Sequence, residues 1–342
     1  MTRLSCVLTV PARATHNNQI VTGYALLQRA GIVDLAVRSA PNQMARFPAA
    51  AVVEATIDGK LVVAYDLLDG YNVDPAALER YRAGIDVYFK RSYDPRRHRP
   101  GDGVYPLGLN YPVTTRHSYF WRARDLWRRP VDRVEQFEDI PRRTTDPRVV
   151  FTVGAWDPDE ARDQATAADR EQINSMRAAC IRLLRRELGE RFFGGMIATP
   201  YARRAFPDLV LDQSRTTRRA FLRLLHQFDI GIATTGLHGS TGWKLAEYMA
   251  AARGIVTEPL RYQVPGDLEA GRNYLTFTDP EHCVAGVDTL LEDPDALYRM
   301  RIANYEYYHR FLRPDRLVLN SLLTALEVAA GSVHKEGLRS AQ

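Results

Sequence analysis

The feature that most restricts this chain is a repeated exchange between two hydrophobic periods. Short apolar runs rich in β-branched residues alternate with longer stretches whose apolar residues recur at helical spacing. That alternation implies a mostly parallel sheet with helices packed on both faces. RLSCVLTV (3–10) reads as a buried strand, and the polar THNNQ follows it. IVTGYALLQRAG (20–31) reads as a helix closed by Gly31, and VDLAVRS (33–39) as a second strand. AAVVEATIDGKLVVAYDLLDG (50–70) reads as two strands turned at Asp58-Gly59, a strong hairpin signal. PAALERYRAG is a short helix, IDVYFKRS a strand and YPLGLNYPV extended.

The alternation resumes after 130–147, a charged, proline-containing stretch without sustained period that reads as an inter-domain linker. RVVFTVGAWDP, GGMIAT, FDIGIATTG, IVTEPL and NYLTFTD read as strands. They are separated by helices near 160–189, around TTRRAFLRLLHQ, over WKLAEYMAAARG and from Pro280 to Leu291. With 342 residues, about two domains are expected. The predicted organisation is a Rossmann-like domain over 1–140, a second over 148–313, a terminal helix over 314–331 and a disordered tail over 332–342. Both domains are expected to be doubly wound and to face each other across a cleft, with helices 294–313 and 315–330 capping the second domain and reaching back to the first.

Composition narrows the function classes. Three cysteines (Cys6, Cys180, Cys283), far apart and in no CxxC or Cys/His pattern, argue against a disulfide framework or zinc module and for a reducing cytoplasm. No stretch reaches the length of a membrane span, and the N-terminal apolar run is too short for a secretory signal. The net charge of +5 lies wholly in residues 1–147; the rest is neutral. Within 91–129, nine arginines face three aspartates, with Tyr119, Phe120, Trp121 and Trp127 interleaved. Such a stretch can meet phosphates, anionic lipid or nucleic acid. It can equally be a solvated helix face, and 42 Arg against 4 Lys looks like genome composition.

In open α/β sheets ligands bind outside the carboxyl ends of the strands, so the residues following each predicted strand carry the candidates. TTGLHGSTGWKLAEYM (234–249) follows a strand and leads into a helix. Gly236, His238, Gly239, Ser240, Thr241 and Gly242 form a loop whose glycines let backbone approach a ligand, and whose helix N-terminus attracts phosphate. Lys244 in the first turn can neutralise a diphosphate, with Glu247 one turn on; an ordinary ion pair on a structural turn is the alternative. The spacing matches neither a P-loop nor GxGxxG. Lys90 and Arg91 end another strand and can meet an anion, or one of them pairs with Asp86 or Asp94. Asp66 and Asp69 end a third strand and can bind hydroxyls, orient a base or cap a turn. His16, after the first strand, titrates near neutrality and suits a general base. Gly271, Arg272 and Asn273 read as a turn before a strand, structural or in contact with a ligand. No DxD or His/Asp cluster calls for a metal, and no cofactor is expected.

The run FDIGIATTGLHGSTGWKLAEYMAAARGIVTEPLRYQVP, followed by GRNYLTF and TLLEDPDALYRMRIANYEYYHRFLRP, resembles the carboxyl-terminal domain of GT-B glycosyltransferases of the glycosyl transferases group 1 type. YDLLDG and DVYFKRSY resemble the amino-terminal domain of bacterial members. The resemblance implies a GT-B fold, a nucleotide-diphosphate sugar as co-substrate, diphosphate on the 239–244 loop and ribose at Glu247. Two departures stand out. The position eight residues before Glu247, usually a glutamate in retaining members, is Gly239. The usual Arg/Lys pair after the first strand is replaced by VGAWDPDEA. Inverting members often carry a histidine after the first strand, which casts His16 as the base, oriented by a carboxylate such as Asp69. The expected activity is therefore metal-independent transfer of a sugar to an acceptor hydroxyl, with His16, Asp69, Lys90 and Lys244 as catalytic candidates. The alternatives are a nucleotide-sugar epimerase or a non-catalytic binding protein. The acceptor is open. Peripheral association with an anionic membrane or polyanionic acceptor through 91–129 fits the charge, and nucleic acid is not expected.

Overall fold

The computed structural model describes residues 3–11, 14–39, 47–118 and 132–339, with 332–339 as backbone only. The chain divides into two compact units: Met1–Val134 with Tyr262–Gly266 and His309–Gln342, and Glu135–Arg261 with Asp267–Tyr308.

The first unit holds β1 (Leu4–Val10), α1 (Asn18–Arg29), β2 (Val33–Ser39), β3 (Val52–Ile57), β4 (Leu61–Asp66), α2 (Pro75–Arg82), β5 (Val87–Lys90) and β6 (Val104–Pro106). Its sheet order is β2-β1-β3-β4-β5-β6. This sheet is mixed, not purely parallel. β3 runs antiparallel to both β1 and β4; the three residues Asp58–Lys60 reverse the chain from β3 into β4, whereas a parallel crossover needs a dozen or more. Asp58 and Gly59, both with positive φ (49° and 69°), make that turn as the sequence predicts.

The terminal helix Pro314–Arg339 belongs to this first unit. It crosses α1 at Gly23, where an added Cβ would collide with the Pro314 carbonyl and Val318. Its Ser321 Oγ lies 2.9 Å from the Tyr65 hydroxyl, itself 2.8 Å from that of Tyr24. Leu317, Val318 and Leu322 join the apolar core of β1, β4 and α1. Residues 332–339 continue the helix where the missing apolar period predicted disorder, since intrahelical bonding propagates past the packed turns.

The second unit holds β7 (Val149–Val153), α3 (Gln164–Leu188), β8 (Phe192–Met196), α4 (Pro200–Ala205), α5 (Arg218–Gln227), β9 (Ile230–Ala233), α6 (Trp243–Ala250), β10 (Gly254–Thr257), β11 (Leu275–Thr276), α7 (Pro280–Glu292) and α8 (Pro294–Tyr307). All its strand pairs are parallel, in the order β11-β10-β9-β7-β8. β7, the first strand of the unit, pairs with the second on one side and the third on the other. The winding therefore reverses between β7 and β9. Residues 135–142, within the stretch expected to be a free linker, are fastened to this unit. The Tyr308 hydroxyl donates to Glu138 at 3.0 Å, and Asp139 pairs with the buried Arg253. Among the described residues no helix is long and apolar enough to cross a membrane.

Candidate functional site

In the second unit the chain's polar residues gather where the winding reverses. β7 ends at Val153 and β9 at Ala233, and the two strands diverge there, exposing main-chain carbonyls without a sheet partner. Arg177, from the middle of α3, closes the gap. Its Nε donates to Thr234 Oγ1 at 2.9 Å, Nη1 to the Gly154 carbonyl at 2.8 Å and Nη2 to the Thr235 carbonyl at 3.1 Å. Burial pushes its pKa down to about 10, opposed by the nearby Glu258 carboxylate. Glu258 itself follows β10, and its Oε2 accepts from both Thr235 N (2.7 Å) and Thr235 Oγ1 (2.9 Å).

The 234–242 loop is thus anchored at its start, and it turns tightly after that. Gly236 N donates to the Ser240 carbonyl at 2.7 Å, and Ser240 N to the Leu237 carbonyl at 3.1 Å. His238 and Gly239 both have positive φ, 60° and 67°. A side chain at Gly239 would be strained by that backbone and would meet Arg261 Cδ at 2.8 Å. Position 239 therefore holds no glutamate for a reason visible in its own backbone. Gly242 is the N-cap of α6 and brings no side-chain oxygen to the first amides. The structure brings Gly236, His238, Gly239, Ser240, Thr241 and Gly242 into one turn at that helix end.

Lys244 and Glu247 take part in something the sequence did not suggest. Glu247 is only 1% exposed and sits between two cations, Arg218 Nη2 at 2.7 Å and Lys244 Nζ at 3.4 Å. Arg218 opens α5 and Lys244 opens α6. Both helices lead away from the same sheet edge, so their first turns converge on this carboxylate. The Lys244 ammonium also lies 2.9 Å from the centre of the Phe221 ring. Burial pushes its pKa down to about 8, against the pull of Glu247 and with the push of Arg218. The triad carries one net positive charge beside the glycine loop.

In the first unit, His16 lies in a single turn (Thr15–Asn17) after β1, and Asp69 follows β4. Asp69 Oδ1 is bonded to Arg91 Nη1 at 2.6 Å. Burial and the Arg91 guanidinium hold the His16 imidazole below its ordinary pKa, with Asp69 opposing. The three groups therefore share one electrostatic environment. The structure ties Asp69 to Arg91 and gives no bond from it to the imidazole. Asn110 Nδ2 holds the His16 carbonyl at 3.2 Å and Gln19 Oε1 at 2.9 Å.

Lys90 and Arg91 do not pair with Asp86 or Asp94. Lys90 Nζ lies 2.7 Å from Asp66 Oδ2, with its side chain 4% exposed, and sits 4.6 Å from the centre of the Tyr71 ring. The Tyr88 hydroxyl donates to the same Asp66 oxygen at 2.7 Å. The reason is register: Asp66 and Lys90 are direct neighbours on β4 and β5. Asp86 instead accepts from Val62 N, and Asp94 pairs with Arg96. Gly271, Arg272 and Asn273 form a turn closed by Asn273 on Glu269 N and Asn304. The aromatic part of the basic stretch, 119–129, lies outside the described residues.

Arg177, Arg218 and Glu258 were missed from the sequence. The arginines are indistinguishable among 42. Glu258 was hidden inside the predicted strand IVTEPL; the observed strand ends at Thr257, which leaves Glu258 at the sheet edge.

No protein-family model and no curated protein matches the chain. Among solved structures it is similar to HepE from Anabaena in complex with UDP, at 12% identity and a TM-score of 0.47, over 89% of each chain. It is similar to TarM from S. aureus at 11% identity and a TM-score of 0.43, over 75% of this chain and 47% of that one. It is also similar to the C-terminal domain of the glycosyl transferase group 1 family protein LpcC from Francisella tularensis, at 14% identity and a TM-score of 0.34, over 52% of this chain and 95% of that one. The likeness is distant, and the functional reading below rests on the residues of this chain.

Proposed function

We propose that this protein is a nucleotide-sugar glycosyltransferase of the GT-B type, with the donor diphosphate held by the second unit. The observation that carries the reading is the unit β9–loop–α6–β10. A glycine-rich turn there meets a helix N-terminus at the carboxyl edge of a parallel sheet, beside the point where its winding reverses. The α6 amides, with the net positive charge of Arg218, Glu247 and Lys244, stabilise charge that develops on the departing diphosphate. His16 is the proposed base. It takes the proton of the acceptor hydroxyl as that oxygen bonds to the anomeric carbon and the bond from that carbon to the diphosphate breaks. Its lowered pKa keeps it neutral, and so able to accept, at pH 7. Transfer by this route inverts the anomeric configuration.

The test is thermal-shift binding to UDP, GDP, dTDP, ADP and CMP, followed by product analysis with the sugar nucleotide that binds. A ligand bound only by the native state raises the melting temperature by mass action. Stabilisation by one diphosphate, its release on addition of an acceptor and an inverted product support the proposal. Conversion of the sugar with its nucleotide bond intact identifies an epimerase. Binding without either reaction identifies a binding protein.

A further inference from the structure

Charge and alignment are separated at Glu247, the carboxylate that the resemblance assigns to ribose. Its side chain is 1% exposed, with Arg218 Nη2 at 2.7 Å and Lys244 Nζ at 3.4 Å. Among the described residues neither of its oxygens accepts a hydrogen bond. The two cations therefore compensate its charge without aiming a donor along its lone pairs. Buried polar oxygens are almost always satisfied, and leaving them bare is costly. A vicinal diol brings two O–H donors to two such acceptors.

The two cations are not equivalent. Lys244 stands three residues before Glu247 on α6, an ordinary neighbour on the same helix face, and its ammonium ends a flexible stem. Arg218 reaches the carboxylate from α5. Its guanidinium lies over the rings of Phe137 and Phe221, 5.0 and 5.1 Å from their centres. Both rings are buried, so packing fixes the platform on which the guanidinium rests. Arg218 is also the first residue of α5, and the Thr217 cap, whose Oγ1 accepts from Ala220 N at 3.2 Å, fixes the backbone it extends from. A planar cation held on aromatic rings sets the direction of the carboxylate that meets it.

Resting on the donor reading above, we propose that Arg218 is a positioning residue for the donor's ribose, holding Glu247 charge-compensated and aimed so that its open oxygens receive the 2′-hydroxyl. Arg218 acts through Glu247 and not on the sugar itself. With Lys244 alone the carboxylate is drawn to the ammonium and one oxygen is spent there. A hydrogen bond from a hydroxyl to an oriented carboxylate is worth about tenfold in affinity.

The test is calorimetric titration of the full chain with UDP, GDP and ADP and with the 2′-deoxy form of each. For the diphosphate that binds, the wild type is expected to bind the deoxy form about tenfold more weakly. Arg218→Met, or Arg218→Gln if the methionine variant does not fold, should bring the two affinities to within about twofold of each other. Arg218→Lys, which restores the charge, should raise the ratio above that of the neutral variant. Loss of a charge near the diphosphate, or a loosened fold, weakens ribo and deoxy forms alike and leaves their ratio unchanged. That outcome, or no recovery in Arg218→Lys, overturns the positioning role while the donor reading stands. Equal binding of the two forms by the wild type overturns it as well, by removing the ribose contact. Binding of no diphosphate at all overturns both.

Discussion

Replacing Arg177 with Met keeps the length of the side chain and removes its guanidinium. Three acceptors, the carbonyls of Gly154 and Thr235 and the Thr234 hydroxyl, then lose charged donors in a buried setting, and Glu258 loses the cation behind it. Breaking a buried charged constellation from one side costs about 3–5 kcal/mol. For a unit of this size each kcal/mol lowers the melting temperature by roughly 2–4 °C, so a fall of about 6–20 °C is expected. The two units can melt separately, so the second unit's transition is followed by calorimetry as a peak of its own, the one that the Arg177 change moves. The Arg177→Met, Glu258→Gln double variant should lose less than the sum of the single losses, because the second change removes the charge that the first left uncompensated. A melting temperature within about 2 °C of wild type in Arg177→Met would refute the view that this arginine ties β7 to β9.

The remaining expectations concern the chemistry. Since burial and Arg91 lower the His16 pKa, the neutral base persists below pH 6.5. The acid limb of kcat/KM should lie under that value, and a limb at or above pH 7 removes His16 from the base role. By the same sign, the neutral imidazole's contribution to stability is lost as pH falls through that lowered pKa. Lys244→Ala should weaken donor binding or turnover at least tenfold, and unchanged kinetics would take the loop out of the mechanism. Activity should survive EDTA, whereas strict dependence on manganese would count against the proposed reaction.

Several features were legible from local sequence because local physics sets them. The Asp58-Gly59 reversal was readable because a tight turn with two residues at positive φ favours Gly and Asp. The helix starts at Gln164, Arg218, Pro280 and Pro294 coincide with Asp or Thr caps at Asp163, Thr217, Asp279 and Asp293, whose side chains accept first-turn amides. The glycine turn before α6 was readable for the same reason: backbone at φ of 60–67° and a helix N-terminus announce themselves in composition.

What the chain alone determined, then, is the order of strands and helices, the hairpin and the loops that end at sheet edges, all governed by interactions a few residues long. Partnership across the fold belonged to tertiary structure. Asp66 meets Lys90 because parallel pairing places them side by side, and Arg91 turns to Asp69. The terminal helix joins the first unit because Gly23 lets it approach α1 closely. Arg177 and Arg218 acquire their roles only from the carbonyls and the carboxylate that packing brings to them. A charge on a long flexible side chain carries no local sign of its partner, so among 42 arginines only the assembled sheet edges select the ones that matter.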